Sequence, residues 1–463
     1  MRARDIILAA VATSVMFAAP ADAKKKKEAP VAAAPARPAP ILALPSSANA
    51  STINYYYERR QEAPIWYSQA GGTEAISTLL TILRRASIDG YPQGPQVAAQ
   101  VEAMVTAAAA GDPVARKTAE RALSNAWVDY VQALERPNSN VIWGDPALAL
   151  KPSHPDRILA LLTGAPSLAP YLQTRSQVNP IYASLRDAAI AESAAAGGVA
   201  STKTMLNLDR ARFIPANGKF ILVNSAEQRL HMYENGKDVG SMKVVVGDSV
   251  TLGLPTPIVA STMYYAIANP YWHVPDHLVR KFAPAIAKQG QAYMDRNGYE
   301  VISDFSKNPQ VLPVSSVDWN AVAKGTAKAL LRQKPNGLNS MGRMKFPFSN
   351  REGIYLHDTP KREYFALANR AKSNGCIRIE DYRRLANWLF GRDVAAVGNA
   401  PEQHMPLPRG VPVYVTYLTM VPDGTGKMAS YEDRYGWDRP GAMAGGMNAS
   451  SATILTGGGG SAN

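Results

Sequence analysis

The hydrophobic period of this chain changes after Pro215, and that change constrains its fold more than any other feature. From about Ser51 to Leu206 the apolar residues recur at helical spacing, whereas after Pro215 they come in short β-branched and aromatic runs. A helical stretch followed by many short strands reads as an α+β chain, with helices and sheet segregated rather than alternating.

Within the first stretch, Ile76, Leu79, Leu80 and Leu83 fall at i, i+3, i+4 and i+7 behind Thr73, which is expected to cap them. Asp112-Pro113 has the order of an N-cap followed by proline at the first helical position. The helix it opens runs through Leu123, Trp127, Val131 and Leu134 and stops before Pro137. The aromatic opening, Tyr55-Tyr56-Tyr57 and Trp66-Tyr67, is assigned to the core rather than to a carbohydrate or partner surface.

After Pro215, strands are expected at Phe220–Asn224, 229–233 and 242–246, with Asn235-Gly236 as a hairpin turn. Residues 354–357, 376–379 and 413–420 are strand-like too, the last closed by Asp423-Gly424. These short strands with tight turns predict a mainly antiparallel sheet domain. Residues 276–335 interrupt it with helical and irregular sequence, read as an inserted lid.

The ends differ from the rest. Arg2 and Arg4 precede an apolar run to about Ala19, followed by Ala21-Asp22-Ala23, the pattern of a secretory signal peptide over residues 1–23. The run of about 14 apolar residues is short of the ~20 that a membrane anchor needs. Residues 24–51 form a Lys/Pro/Ala-rich linker and residues 441–463 a Gly/Ser-rich tail. Between them, residues 52–206 are expected to be a helical domain and 207–440 the sheet domain. The formal charge of +13 on an exported chain suits an anionic polymer or membrane surface, and nucleic acid is not expected there. A single cysteine among 463 residues excludes a disulfide scaffold and a Cys-clustered metal protein.

That cysteine lies in the densest chemical cluster of the chain: residues 354–360, containing Tyr355, His357 and Asp358, then residues 370–378, containing Ser373, Asn374, Gly375, Cys376 and Arg378. A thiol is a poor nucleophile until ionised, and a nearby imidazole can take its proton. His357 is 19 residues upstream on a candidate neighbouring strand. Ser373-Asn374-Gly375 is turn chemistry, and the amides of Gly375 and Cys376 are placed to meet an oxyanion. Arg378 alternates to the face of Cys376 and would dock a carboxylate or brace the loop. No metal or other cofactor is expected. His273 and His277 have metal-helix spacing, but Pro275 intervenes and no glutamate follows His273. His154, His231 and His404 have no chemical company.

These residues resemble the L,D-transpeptidase catalytic domain, whose signature is a His, a variable stretch, then Ser, a small polar residue, Gly, Cys, Ile or Val, and Arg. The large multidomain Gram-negative subclass is the nearer match. The resemblance spans residues 207–212, 220–224, 244–247, 269–275 (Asn-Pro-Tyr-Trp-His-Val-Pro), 339–342 and 357–378. It departs from the pattern at Asn374, where many members carry a second histidine. The subclass's small peptidoglycan-binding module is expected to be absent, since too few residues separate Tyr171 from Asn207.

The resemblance implies 3,3 cross-linking of peptidoglycan stem peptides through a thioester on Cys376, with release of D-alanine from a tetrapeptide donor and attack by a diaminopimelate amine. It gives His357 the role of general base and acid, the backbone of Gly375 that of oxyanion donor, and the carbonyl of Asp358 that of orienting His357. Arg378, Tyr355, Trp272, Ser373 and Asn374 would contact substrate. It further implies a periplasmic wall enzyme, carbapenem sensitivity and peptidoglycan synthases as possible partners. An L,D-carboxypeptidase, a sortase-like cysteine transpeptidase and a non-catalytic wall-binding scaffold are the alternatives.

Overall fold

In a computed structural model, the residues described are 47–442, apart from 69–70, 395–397, 399 and 424–426. The signal peptide, most of the linker, nearly all of the tail and Gly424 lie outside them.

The helical region has a continuous core because the apolar stripes of its helices meet. Helix Gly72–Arg85 buries Ile76, Leu79, Leu80 and Leu83, and helix Pro113–Leu134 buries Leu123, Trp127, Val131 and Leu134. Asp112 accepts hydrogen bonds from the amides of Val114 and Ala115, so the second helix starts where the Asp-Pro pair says it should. The first does not. Gly71, in the left-handed region at φ 96°, precedes the helix and Thr73 lies inside it. Trp66, Tyr57 and Tyr130 are fully buried, and their polar atoms are satisfied: Tyr57 and the Trp66 indole bond to Ser124, and Tyr130 bonds to Asp89. Tyr55, by contrast, is exposed.

The sheet region closes on itself. Strands run in the order Val259–Ala268, Met344–Pro347, Tyr355–His357, Ile377–Ile379, Lys237–Gly247, Arg229–Glu234, Phe220–Asn224 and Gln403–Thr416, and the last pairs again with the first. Closure removes exposed edges. Asn235 and Gly236 both have positive φ (50° and 77°), which is the geometry a two-residue hairpin requires. Most pairings are antiparallel, but Tyr355–His357 runs parallel to Ile377–Ile379. The final long strand begins at Gln403, not near residue 413. Its register shifts between Pro406 and Val411, and prolines at 406, 408 and 412 hide the period that would have marked it.

The insertion is more than helical and irregular sequence. It starts at the strand Trp272–His273 and holds a four-stranded sheet with Tyr299–Ile302, Val311–Leu312 and Leu330–Gln333, packed against helix Asp276–Gln289. Val279, Ala283, Ile286, Val301, Trp319 and Leu331 give it a core of its own. Fully buried Asn339 ties its base, its amide donating to the carbonyls of Pro270 and Lys334 at 3.0 Å each.

Helix Thr202–Ala211 joins helical and sheet regions. Asn207 accepts the Thr419 amide at 2.7 Å, and Arg210, 2% exposed, pairs with Asp438 at 2.7 Å. No helix among the described residues is long and apolar enough to cross a membrane.

Candidate active site

Three neighbouring strands carry the chemistry. In register across them stand Lys345, His357 and Arg378, so their side chains share one face of the sheet. Cys376 lies one residue before the third strand and two before Arg378, at the end of the Ser373-Asn374-Gly375 turn. It is half-buried and unpaired.

The turn takes its shape from Gly375, whose φ of +106° belongs to glycine. Ser373 knits it together: its hydroxyl donates to the Cys376 carbonyl at 2.6 Å and accepts the Gly375 N–H at 3.2 Å. The N–H of Gly375, expected as an oxyanion donor, is thus turned to a contact within the turn. It is already engaged by a side chain two residues back, whereas the Cys376 N–H makes no hydrogen bond among the described residues.

His357 is buried, and its Nδ1–H donates to the backbone carbonyl of Asp358 at 2.6 Å. That bond selects the tautomer and leaves Nε2 as the basic nitrogen. The Asp358 carboxylate in turn accepts the Arg343 amide at 2.8 Å. Burial, then the cations Arg378 and Lys345, hold the imidazole down at about 3 despite the Asp358 bond. His357 is therefore neutral at ordinary pH, and a resting thiolate–imidazolium pair is disfavoured.

The thiol has other partners. Its sulfur donates to the Gly353 carbonyl at 3.8 Å, and Tyr355 lies within electrostatic reach of it. Burial pushes the Cys376 thiol up, while Tyr355, Lys345 and Arg378 pull it back. Burial and the sulfur both raise Tyr355, which stays a proton donor. No hydrogen bond joins His357 to Cys376 here; such contacts tighten when substrate binds.

Arg378 stacks on Tyr364, 5.3 Å from the ring centre, and its Nη1 is buried without a partner among the described residues. Lys345 is the residue that sequence reading missed. Its ammonium lies 4.1 Å from the Tyr355 ring centre and within electrostatic reach of Cys376, His357 and Glu402. The signal was slight: a lysine between Met344 and Phe346 must face away from the core, but that face is usually solvent. Trp272 does not face this row. It packs into the core of the insertion near Tyr299, and its neighbour His273, on the other face of that strand, pairs across it with Arg332 and lies within electrostatic reach of Lys345. Burial, then those two cations, lower His273 to about 4. His277 lies on the following helix, and no cluster of three potential metal ligands exists among the described residues.

A thiol, a neutral imidazole with a fixed tautomer, a free backbone amide and two cations form a set that could serve acyl transfer. Residues 218–415 match the family model of the L,D-transpeptidase catalytic domain, and residues 51–188 that of a scaffold domain. A putative L,D-transpeptidase of Haemophilus influenzae is 28% identical over 244 residues, covering 51% of this chain. The chain spans about half, 48%, of that relative's length. Among solved structures, an avibactam carbamoyl enzyme is 16% identical with a TM-score of 0.22, over 44% of this chain and 50% of its own. An L,D-transpeptidase from Xylanimonas cellulosilytica is 17% identical with a TM-score of 0.17, over 49% and 78%.

Proposed function

With residues 218–415 an L,D-transpeptidase catalytic domain, we propose that this chain forms 3,3 cross-links between peptidoglycan stem peptides through a thioester on Cys376. The observation that carries the reading is the fixed imidazole of His357, on a strand laid parallel to the one that Cys376 leads into. As sulfur attacks the carbonyl of the L-centre of a donor diaminopimelate, the thiol proton passes to His357 Nε2 and the carbonyl pair moves onto oxygen. The Cys376 N–H holds that oxygen. Collapse breaks the C–N bond, and the departing D-alanine amine takes the proton from the imidazolium. An acceptor amine then gives its proton to His357, forms the new C–N bond and displaces the sulfur, which is reprotonated.

The low position of the imidazole means that His357 gains its proton only as negative charge leaves the sulfur, so proton transfer and attack are coupled. The unpartnered Nη1 of Arg378 suits a stem carboxylate. Export through the N-terminal segment and a periplasmic place at the wall complete the proposal.

The test is mass spectrometry of the purified protein with a disaccharide tetrapeptide. Expected are an acyl adduct on Cys376 and a cross-linked dimer, both lost in Cys376→Ala, with His357→Ala folded but slow to acylate. Dimer formation by Cys376→Ala would sink the proposal. Tripeptide without dimer would convert it to a carboxypeptidase.

A further inference from the structure

We infer that Thr256 is a positioning residue whose hydroxyl orients the Gly375–Cys376 peptide so that the Cys376 N–H is presented to the oxyanion. This rests on the acyl-transfer reading above. Thr256 is fully buried, and its Oγ1 donates to the Gly375 carbonyl at 2.8 Å while accepting the Gly247 N–H at 2.8 Å. A hydroxyl has one proton, so the two contacts together lock the rotor. The peptide is trans and planar, so pinning the Gly375 carbonyl turns the Cys376 N–H the opposite way. Ser373 pins the peptide on the other side of Cys376. Side-chain hydroxyls thus hold both peptides that flank the nucleophile.

A second layer holds Thr256. The Tyr435 hydroxyl accepts the Thr256 N–H at 3.3 Å and donates to the Gly247 carbonyl at 3.0 Å. Tyr435 stacks on Tyr417 at 4.7 Å and meets Trp437 edge-on at 4.9 Å. The Trp437 carbonyl accepts from Arg210 of the joining helix. Tyr435 lies beyond residue 415, where the catalytic-domain match ends. The brace therefore reaches the turn from sequence outside the matched domain. When the sulfur–carbon bond forms, the carbonyl π pair moves onto oxygen, and a donor misplaced by about 1 Å costs on the order of 10²-fold in rate.

The experiment compares full-length wild type, Thr256→Val and Thr256→Ser in two reactions of Cys376. Acylation by p-nitrophenyl acetate passes through an oxyanion; alkylation by iodoacetamide does not. Expected is a fall of about 10- to 100-fold in acylation for Thr256→Val, with alkylation within about twofold and acylation restored in Thr256→Ser. Equal acylation, or a parallel fall in both rates, overturns the inference. If Thr256→Val does not fold, Tyr435→Phe must show the same split in smaller degree, and no split there also overturns it. Wild type that the ester acylates and the tetrapeptide does not would sink the proposed substrate while leaving this comparison readable.

Discussion

Lys345 stands directly across from His357 in the antiparallel pair that carries the candidate base. His357 in turn faces Arg378 in the parallel pair beside it. The imidazole is thus held between two cations, and a buried base so placed is a neutral one. The positive charge next to the sulfur is supplied by the row itself and not by a protonated histidine.

Replacing Lys345 by Met removes one of the two cations that oppose the burial of the thiol. The thiol is then expected to ionise at higher pH, with alkylation by iodoacetamide at pH 7.5 up to about tenfold slower. A pH profile of alkylation identical to wild type would show that Lys345 does not hold the thiolate.

The pH dependence of acylation should lack the step that an ordinary histidine gives near 6.5. With His357 at about 3, its basic form is complete throughout the working range, so the rate should be level between about pH 5 and 7.5. A clear inflection between pH 6 and 7 in kcat/KM that disappears in His357→Ala would contradict this.

His231 predicts a pH effect on stability. Burial would lower it, but bonds to Asp238 at 2.7 Å and Glu227 at 3.0 Å raise it to about 9. A raised folded value means that the stabilisation is complete below about 6.5 and is lost as pH rises through about 9. The amount at stake is up to about 3 kcal/mol. Urea unfolding between pH 6 and 9.5 should show this decline in wild type and a flatter curve in His231→Gln; parallel curves would refute the assignment.

Arg210→Met should lower stability by about 3 kcal/mol, because it strands Asp438, the carbonyls of Tyr417 and Trp437, and with them the segment that supports Tyr435. Chemical denaturation measures it. A loss below about 1 kcal/mol would mean that the segment is held elsewhere.

Much of this was legible in the chain. The change of hydrophobic period separated helical region from sheet region, Asp112-Pro113 marked a helix start, and Asn235-Gly236 marked a hairpin, because each depends on the conformational preferences of a few neighbouring residues. Cys376 and His357 stood out because their side chains carry chemistry that few others can. What the sequence concealed depends on pairing at a distance. The insertion's sheet, the start of the last long strand and the place of Lys345 are set by register, which a proline-broken or short strand does not announce. The Gly375 N–H looked available until Ser373 was seen to take it, a matter of turn geometry. Thr256 meets Gly375 across 119 residues of chain. Composition and period thus determined by themselves where helices give way to strands and which side chains can react. Only the tertiary structure decided which amide is free, which cations face the sulfur and which nitrogen of His357 is basic, since hydrogen-bond pairing and desolvation belong to contacts between distant segments.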